Sequence, residues 1–223
     1  MRSPCTTSAR PNRSPATGPG YARSSSRSQT VGGPSGGAAL KRLFDIVCSA
    51  IFLLLLWPLL AVLALWVVLD SPGGAFYRQK RVGLGGRVFT ILKFRSMVVD
   101  ADQKGSFRTA AGDARITRAG RFLRKTSLDE IPQFWNVFVG DMSLVGPRPD
   151  TPSQESDYSP EEWQKRCSVR PGITGLAQAT KRSAASPEER LAADLQYAQA
   201  PSLALDLKIL ALTVKQVVSR GGY

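Results

Sequence analysis

Ile46 to Leu69 reads IVCSAIFLLLLWPLLAVLALWVVL, 24 residues without a charge. As one straight helix it would measure roughly 36 Å, more than the roughly 30 Å of hydrocarbon in a bilayer. A core helix of a soluble protein is not apolar on every face. A signal peptide does not fit either: the run starts late, is too long, and no small-residue cleavage site follows. The run therefore reads as a membrane segment. Pro58 lies at its middle, where it removes one backbone hydrogen bond and clashes with the preceding turn. Broken there, each half would be about 12 residues, or roughly 18 Å, too short to span. Lys41 and Arg42 precede the run, and Arg78, Lys80, Arg81 and Arg87 follow it. Basic residues favour the cytoplasmic side, so basic flanks at both ends suit a helix that enters and returns. A kinked spanning helix is the alternative, and the physics of the run balances the two.

Charge is unevenly placed along the chain. The net charge is +13, and residues 1–42 hold seven basic residues and no acid. Residues 1–37 are rich in Ser, Gly, Pro and Arg, and cannot bury enough surface to offset their ordering entropy. They read as a disordered basic tail; an anionic-lipid tether is the functional alternative. From Arg78 to Lys125 there are thirteen basic residues and three acids, and the acids gather later, from Asp129 to Glu162. A basic belt beside an acidic cluster suggests an anionic partner: phosphate, lipid surface or nucleic acid.

The domain plan is a tail over 1–37, a membrane helix over 38–71 and a catalytic domain over 72–223. Its fold class is α/β, mostly helical with a small β-hairpin. Phe76–Val82 and 87–94 read as strands joined by Gly83-Leu84-Gly85-Gly86. Helices are expected over 97–103, over 118–125, from Ser127 to Val139, over 160–166 and over 187–199, with a flexible segment at 105–112. From 202 to 220, Leu203, Leu207, Leu210, Val214 and Val217 line one helical face. That face packs on the domain or lies in the membrane interface.

The chain has no histidine. That removes Ser-His-Asp and Cys-His catalysis and the usual His-containing zinc sites. Cys5, Cys48 and Cys167 are too scattered for a metal site or disulfide framework. Acid–base or nucleophilic work falls to other groups, and Asp129-Glu130 is the strongest candidate. Ser127 and Glu130 have capping-box spacing, which alone would account for the pair. However, Arg121, Arg124, Lys125 and Arg148 surround it in sequence, and guanidinium groups fork onto phosphate oxygens. A carboxylate at a helix start among arginines should have a depressed pKa, ready to attack phosphorus or hold a hard cation such as magnesium. Lys93 and Arg95 put two cations at a strand end. The loop Arg170 to Leu176 has two glycines that would let backbone N–H groups approach a ligand.

Several strings together resemble one family: KRLFD (41–45), FYRQKRVG (76–83), KFRSM (93–97), DARIT (113–117), LRKTSLDEIPQ (123–133), GDMSLVGPRP (140–149), RPGITGLAQ (170–178) and LDLKIL (205–210). They occur in the order found in the bacterial sugar transferases, monotopic polyprenyl-phosphate phosphoglycosyl transferases, here in minimal form. The resemblance implies transfer of a sugar 1-phosphate from a UDP-sugar to undecaprenyl or a related polyprenyl phosphate. It implies release of UMP and priming of exopolysaccharide or glycoconjugate synthesis. Asp129 maps to a nucleophile that forms an aspartyl-phosphosugar, and Glu130 to its partner. Mg2+ is the implied cofactor, with Asp129 as its ligand. Lys93, Arg95, Arg124, Arg148, Arg170 and Thr174 map to phosphate or substrate binding. Pro58 maps to the break of a re-entrant helix. The implied place is the bacterial inner membrane with the catalytic domain on the cytoplasmic face, without nucleic acid; a homodimer is admitted.

Two departures stand out. Trp57 precedes Pro58 where the family commonly has Ser, and Ala179-Thr180-Lys181-Arg182 replaces a frequent Gly-Arg pair near the region expected to affect sugar choice. The competing reading is a non-catalytic, membrane-anchored basic protein that binds nucleic acid or anionic lipid. The interleaving of basic residues with an acidic pair and glycine loops favours the enzyme.

Overall fold

A computed structural model describes residues 36–101, 113–180 and 186–219. The expected tail, the segment 105–112 and Lys181-Arg182 lie outside these residues, apart from the last two residues of the tail.

Helix α1 (Gly36–Asp70) contains the whole apolar run. At about 1.5 Å per residue it is about 52 Å long. The expected break at Pro58 does not divide the segment into two helices: α1 runs as one helix with Pro58 inside it. A proline inside a helix removes one backbone hydrogen bond and commonly bends the helix at that point. Leu54, Leu55, Trp57 and Val62 at its middle are exposed, and among the described residues α1 is the one helix long and apolar enough to cross a membrane.

Both ends of α1 dock on the domain that follows. Near the N-terminal end, Lys41 pairs with Asp206 and donates to Ser143 Oγ at 2.9 Å. Asp45 accepts from Ser143 Oγ and the Leu144 amide, each at 3.1 Å. Phe52 stacks on Phe134 with ring centroids 4.8 Å apart. Near the C-terminal end, Leu63 and Val67 pack with Phe94, Ala119 and Leu123. Asp70 accepts from the Ala119 amide at 2.9 Å. Arg95 is buried at the C-terminal end of α1, donating to Val67 O in its last turn and to the carbonyls of Ser71, at 2.7 Å, and Pro72 just beyond it. A cation at a helix C-terminus offsets carbonyls left without helical partners and complements the helix dipole.

The hairpin forms as its pattern predicts. Strands β1 (Phe76–Val82) and β2 (Val88–Phe94) pair antiparallel, with Phe76 opposite Phe94. The connecting 3-10 turn Leu84–Gly86 places Gly85 and Gly86 at positive φ, which glycine adopts at little cost. Over 97–100 the helix expected across 97–103 does not form, and Ala101 lies in a 3-10 turn. Met97 instead makes a bridge to Ile116, and the Val98 amide donates to Arg115 O at 2.9 Å.

Helix α2 (Arg118–Thr126) is capped by Thr117, whose hydroxyl accepts from the Gly120 amide. A Cβ at Gly120 would fall 2.0 Å from Ser96 O, so only glycine lets α2 lie against the end of the β2 segment. The single helix expected from Ser127 to Val139 is instead a 3-10 turn, Leu128–Glu130, followed by α3 (Gln133–Val139). Asn136 on α3 accepts from Leu92 N at 3.0 Å and donates to Thr90 O at 2.8 Å, so its amide pairs with the free edge of β2.

A second, parallel pair, β3 (Ser143–Val145) and β4 (Gly172–Thr174), joins the GPRP and RPGITG strings. A Cβ on Gly146 would lie 2.2 Å from Arg170 O, and one on Gly172 would lie 2.1 Å from Gly146 N. These two glycines let the two loops meet backbone to backbone. The contact that the sequence suggests for a ligand is made within the protein.

Helices α4 (Pro160–Arg166) and α6 (Pro187–Gln199) carry capping boxes at Ser159/Glu162 and Ser186/Glu189. Short α5 (Leu176–Thr180) follows β4. Helix α7 (Leu203–Ser219) packs on the core as expected, but through another face. Asp206 and Ile209 are its buried residues, whereas Leu207 and Val214 of the predicted stripe are exposed. The Lys41–Asp206 pair and the Tyr197 hydroxyl, 2.8 Å from Asp206, draw a charged residue inward in place of a leucine.

Candidate active site

Ser127 ends α2 in the left-handed conformation (φ 57°), and its amide donates back to Arg124 O. The chain then turns through Leu128–Glu130, and Pro132 precedes α3. The Ser127 side chain makes no cap, and Glu130 is not the reciprocal member of a capping box. The acidic pair is therefore not explained by helix capping.

The two acids have different surroundings. Glu130 accepts from Lys93 Nζ at 2.7 Å and from Arg148 at 2.9 Å. Burial opposes its charge, but the Arg148 and Lys93 cations outweigh it and hold the carboxyl at about 2. Asp129 moves the other way, up to about 6, through burial first and Glu130 second, against Lys93 and Arg124. The depressed pKa expected of the nucleophile belongs to its neighbour. Lys93 is itself pushed down, chiefly by burial, with Glu130 opposing.

Two cavities meet at Asp129. One, of about 520 Å³, lies against the hairpin and includes Tyr77, Arg81, Lys93, Arg115, Arg124 and Arg148. The other, of about 380 Å³, lies between the 3-10 turn, β4, α5 and α7. Asp129, Arg124 and Arg148 line both. Arg124 is aimed by Ser96, whose Oγ accepts from its Nε at 2.8 Å. Arg148 is held from beneath by Arg166, a buried residue that also pairs with Asp150 at 2.6 Å and Asp194 at 3.0 Å and donates to the Arg148 carbonyl.

Of the residues singled out in the sequence, Lys93, Arg124, Asp129, Glu130 and Arg148 come together. Thr174 lies in the second cavity, its hydroxyl 2.9 Å from that of Thr213. Arg95 borders the first cavity, but its guanidinium is spent on the end of α1. Arg170 lines neither cavity; it donates to Gly140 O at 3.0 Å, at the end of α3. Pro58 lies within the exposed middle of α1. Sequence reasoning missed Arg81, Arg115 and Arg166, and also Gln178, Thr213 and Gln216. Arg81, Arg115 and Gln178 lie inside the strings FYRQKRVG, DARIT and RPGITGLAQ without standing out from their neighbours there, and Arg166, Thr213 and Gln216 reach their places through tertiary packing.

Among the described residues no group of three or more His, Cys, Asp or Glu gathers to hold a metal. Asp129 suits a different kind of site. It takes part in no ion pair among the described residues, and magnesium is commonly held by one or two carboxylates together with substrate phosphates.

The bacterial sugar transferase profile matches residues 37–220, and the chain belongs to that family. It is 44% identical over 186 residues to the UDP-glucose:undecaprenyl-phosphate glucose-1-phosphate transferase of Caulobacter vibrioides, covering 80% of this chain and 70% of the relative. It is 44% identical over 189 residues to the uncharacterized sugar transferase EpsL of Bacillus subtilis, covering 82% of this chain and 89% of that one. It is 39% identical to the UDP-N-acetylgalactosamine-undecaprenyl-phosphate N-acetylgalactosaminephosphotransferase of Aeromonas hydrophila, covering 83% of this chain and 45% of the relative. The chain spans about two fifths of several other relatives, including the glucose-1-phosphate transferases of Xanthomonas campestris and Escherichia coli.

Proposed function

We propose that the protein transfers a sugar 1-phosphate from a UDP-sugar to a polyprenyl phosphate through an aspartyl-phosphosugar on Asp129. The observation that carries this reading is that Asp129, free of an ion pair among the described residues, is shared by two cavities whose common cations are Arg124 and Arg148. A carboxylate oxygen attacks the sugar-bearing phosphorus, an O–P bond forms, and the bond to the UMP phosphate breaks. A lipid phosphate oxygen then attacks the same phosphorus, and the carboxylate leaves as it began. Neither step needs a proton from outside. Arg124, Arg148 and Lys93 offset charge that spreads over the phosphoryl oxygens. Burial leaves Asp129 a stronger base than an ordinary carboxylate, yet ionised at neutral pH. Asp129 would hold magnesium with the diphosphate oxygens, and the cation would add further charge neutralisation there. Glu130 keeps Lys93 and Arg148 in place.

Re-entrance of α1 is part of this proposal. Its supports are the docking of both α1 ends on one domain and the exposure of the apolar middle. A helix that carries the same domain at both ends keeps both on one side of the bilayer, the cytoplasmic side by its basic flanks.

The test is UMP release across a panel of UDP-sugars by wild-type protein in detergent or nanodiscs. Asp129→Asn should abolish both UMP release and the labelled covalent intermediate; full activity in that variant would refute the nucleophile. For topology, Ala39→Cys and Lys80→Cys in a cysteine-free background should both label from the cytoplasmic side. Labelling from opposite sides would mean a spanning helix.

A further inference from the structure

Arg42 and Arg170 meet at the end of α3, and neither lines a cavity at Asp129. Arg42 donates to Val137 O at 2.7 Å and to Phe138 O at 2.9 Å. Arg170 donates through Nε to Gly140 O at 3.0 Å. A Cβ on Gly140 would lie 3.2 Å from Arg42 Nη2, so both guanidinium groups lie against this one residue.

Capping accounts for the first arginine and not for the second. A cation at a helix C-terminus offsets its free carbonyls. Here Gly140 is left-handed and returns its amide to Asn136 O and Val137 O, and Arg42 serves Val137 and Phe138. Arg170 adds a like charge, and the two cations repel. Among the described residues neither has a carboxylate within 4.0 Å. Asp45 favours the Arg42 charge but accepts from Ser143 and Leu144, and Asp141 faces Asn136 at 3.3 Å. The terminal nitrogens of Arg170 donate to no group among the described residues. Two adjacent guanidinium groups with N–H groups to spare suit a phosphate.

The pair lies at headgroup depth. Arg42 precedes Ile46, where the uncharged run begins, by one turn of α1, roughly 6 Å. The surface around it is apolar: Leu43 is exposed beside Arg42, as are Trp135, Phe138 and Val139 on α3. Trp135 and Phe138 are in ring contact at 5.9 Å. Aromatic rings beside basic residues suit the boundary between hydrocarbon and headgroups. A free phosphate ion would use only the arginines, whereas a phospholipid uses the arginines and the apolar rim.

We propose that Arg42 and Arg170 clamp the phosphate of an anionic glycerophospholipid whose acyl chains lie against Leu43, Phe138 and Val139. This rests on the reading of α1 as a membrane anchor. The lipid is a structural ligand and not the acceptor, since neither arginine reaches the cavities at Asp129. It fixes the far end of α3, whose near end begins just after Glu130, and so sets the depth of the acidic turn relative to the headgroups.

The test titrates the full chain, in micelles of neutral detergent, with dioleoylphosphatidylglycerol, dioleoylphosphatidylcholine or inorganic phosphate, and reads thermal melting. Wild-type protein should melt higher, with saturation, in phosphatidylglycerol and respond to neither of the others. Arg170→Gln, which keeps the Arg42 cap, should need at least tenfold more phosphatidylglycerol for half the shift. Arg78→Gln combined with Arg87→Gln removes two exposed charges elsewhere and should leave that midpoint within twofold. An unchanged midpoint in Arg170→Gln, or an equal loss in the charge control, overturns the clamp. So does an equal response to inorganic phosphate, which would mean a site for soluble anions. If Arg170→Gln does not fold, native mass spectrometry of wild-type protein from nanodiscs of equal phosphatidylglycerol and phosphatidylcholine decides. One retained phosphatidylglycerol supports the clamp, and equal retention of both lipids overturns it. Wild-type protein that releases UMP without preferring phosphatidylglycerol overturns this site alone. Failure of the full chain to float with vesicles would instead overturn the anchor reading.

Discussion

Asp129 and Glu130 are adjacent in one 3-10 turn and titrate in opposite directions, one up to about 6 and the other down to about 2. Glu130 holds two cations within 2.9 Å, and its charge is one reason Asp129 resists ionisation. The pair is thus divided into a fixed anion and a basic, available one.

The first consequence is a pH dependence. On the proposed mechanism Asp129 attacks as the ionised carboxylate, so kcat/KM for UMP release should fall tenfold per pH unit below about 6. A stopped-time assay from pH 4.5 to 8.5 will show it. A limb that begins near 4 would mean that Asp129 is not raised.

The same burial should weaken the fold. The Asp129 pKa is higher folded than unfolded, so the native state binds its proton more tightly and stability falls as pH rises from about 4 to about 6. Asp129→Asn removes that cost. Above pH 6 the variant should be more stable by on the order of 1–2 kcal/mol, since one pKa unit is about 1.4 kcal/mol. The gain should vanish below about pH 4. Thermal melting in nanodiscs across this range measures it.

Arg148 and Arg166 should separate activity from stability. The Arg148 side chain is 53% exposed and contacts Glu130, so Arg148→Met should cost little stability but lower kcat/KM by about 10²–10³. The Arg166 side chain is 7% exposed between two carboxylates, and Arg166→Met leaves both buried without their cation. The expected loss is about 3–5 kcal/mol. Melting and UMP-release assays on the two variants read the contrast.

A mutant cycle tests the latch between α1 and α7. Lys41→Met and Asp206→Asn should each destabilise the protein, and the double variant should lose less than the sum, with a coupling of about 1–3 kcal/mol. Additive losses would show that the pair contributes nothing beyond its separate contacts.

How far the sequence disclosed this structure depends on how local each signal is. The S-x-x-E pattern occurs at Ser127, Ser159 and Ser186. At the latter two, proline follows immediately and the box forms. At Ser127 the preceding helix has just ended in a left-handed residue, and Lys93 and Arg148 take the glutamate. Spacing was a sound guide where chain neighbours alone decide the outcome. It failed where residues 37 and 18 positions from Glu130 compete for its side chain. The α7 stripe failed for the same reason, since Lys41 lies 165 residues from Asp206. The hairpin, α4 and α6 depend on nearby residues and were legible to within a residue. The acidic site was legible as a motif, but the division of labour within it was not.

The length of the Lys41–Asp206 connection also bears on how the protein is made. At about 5–20 residues per second, on the order of ten to thirty seconds separate synthesis of Lys41 from that of Asp206. During that interval the apolar helix has no Asp206 to pair with. On the proposed anchoring it meets the bilayer as a lone hydrophobic segment, and Lys41 stays without its carboxylate until α7 leaves the ribosome. Biogenesis would then have two stages, insertion and then closure, and a ribosome halted before Asp206 would leave an anchor that is embedded but unlatched.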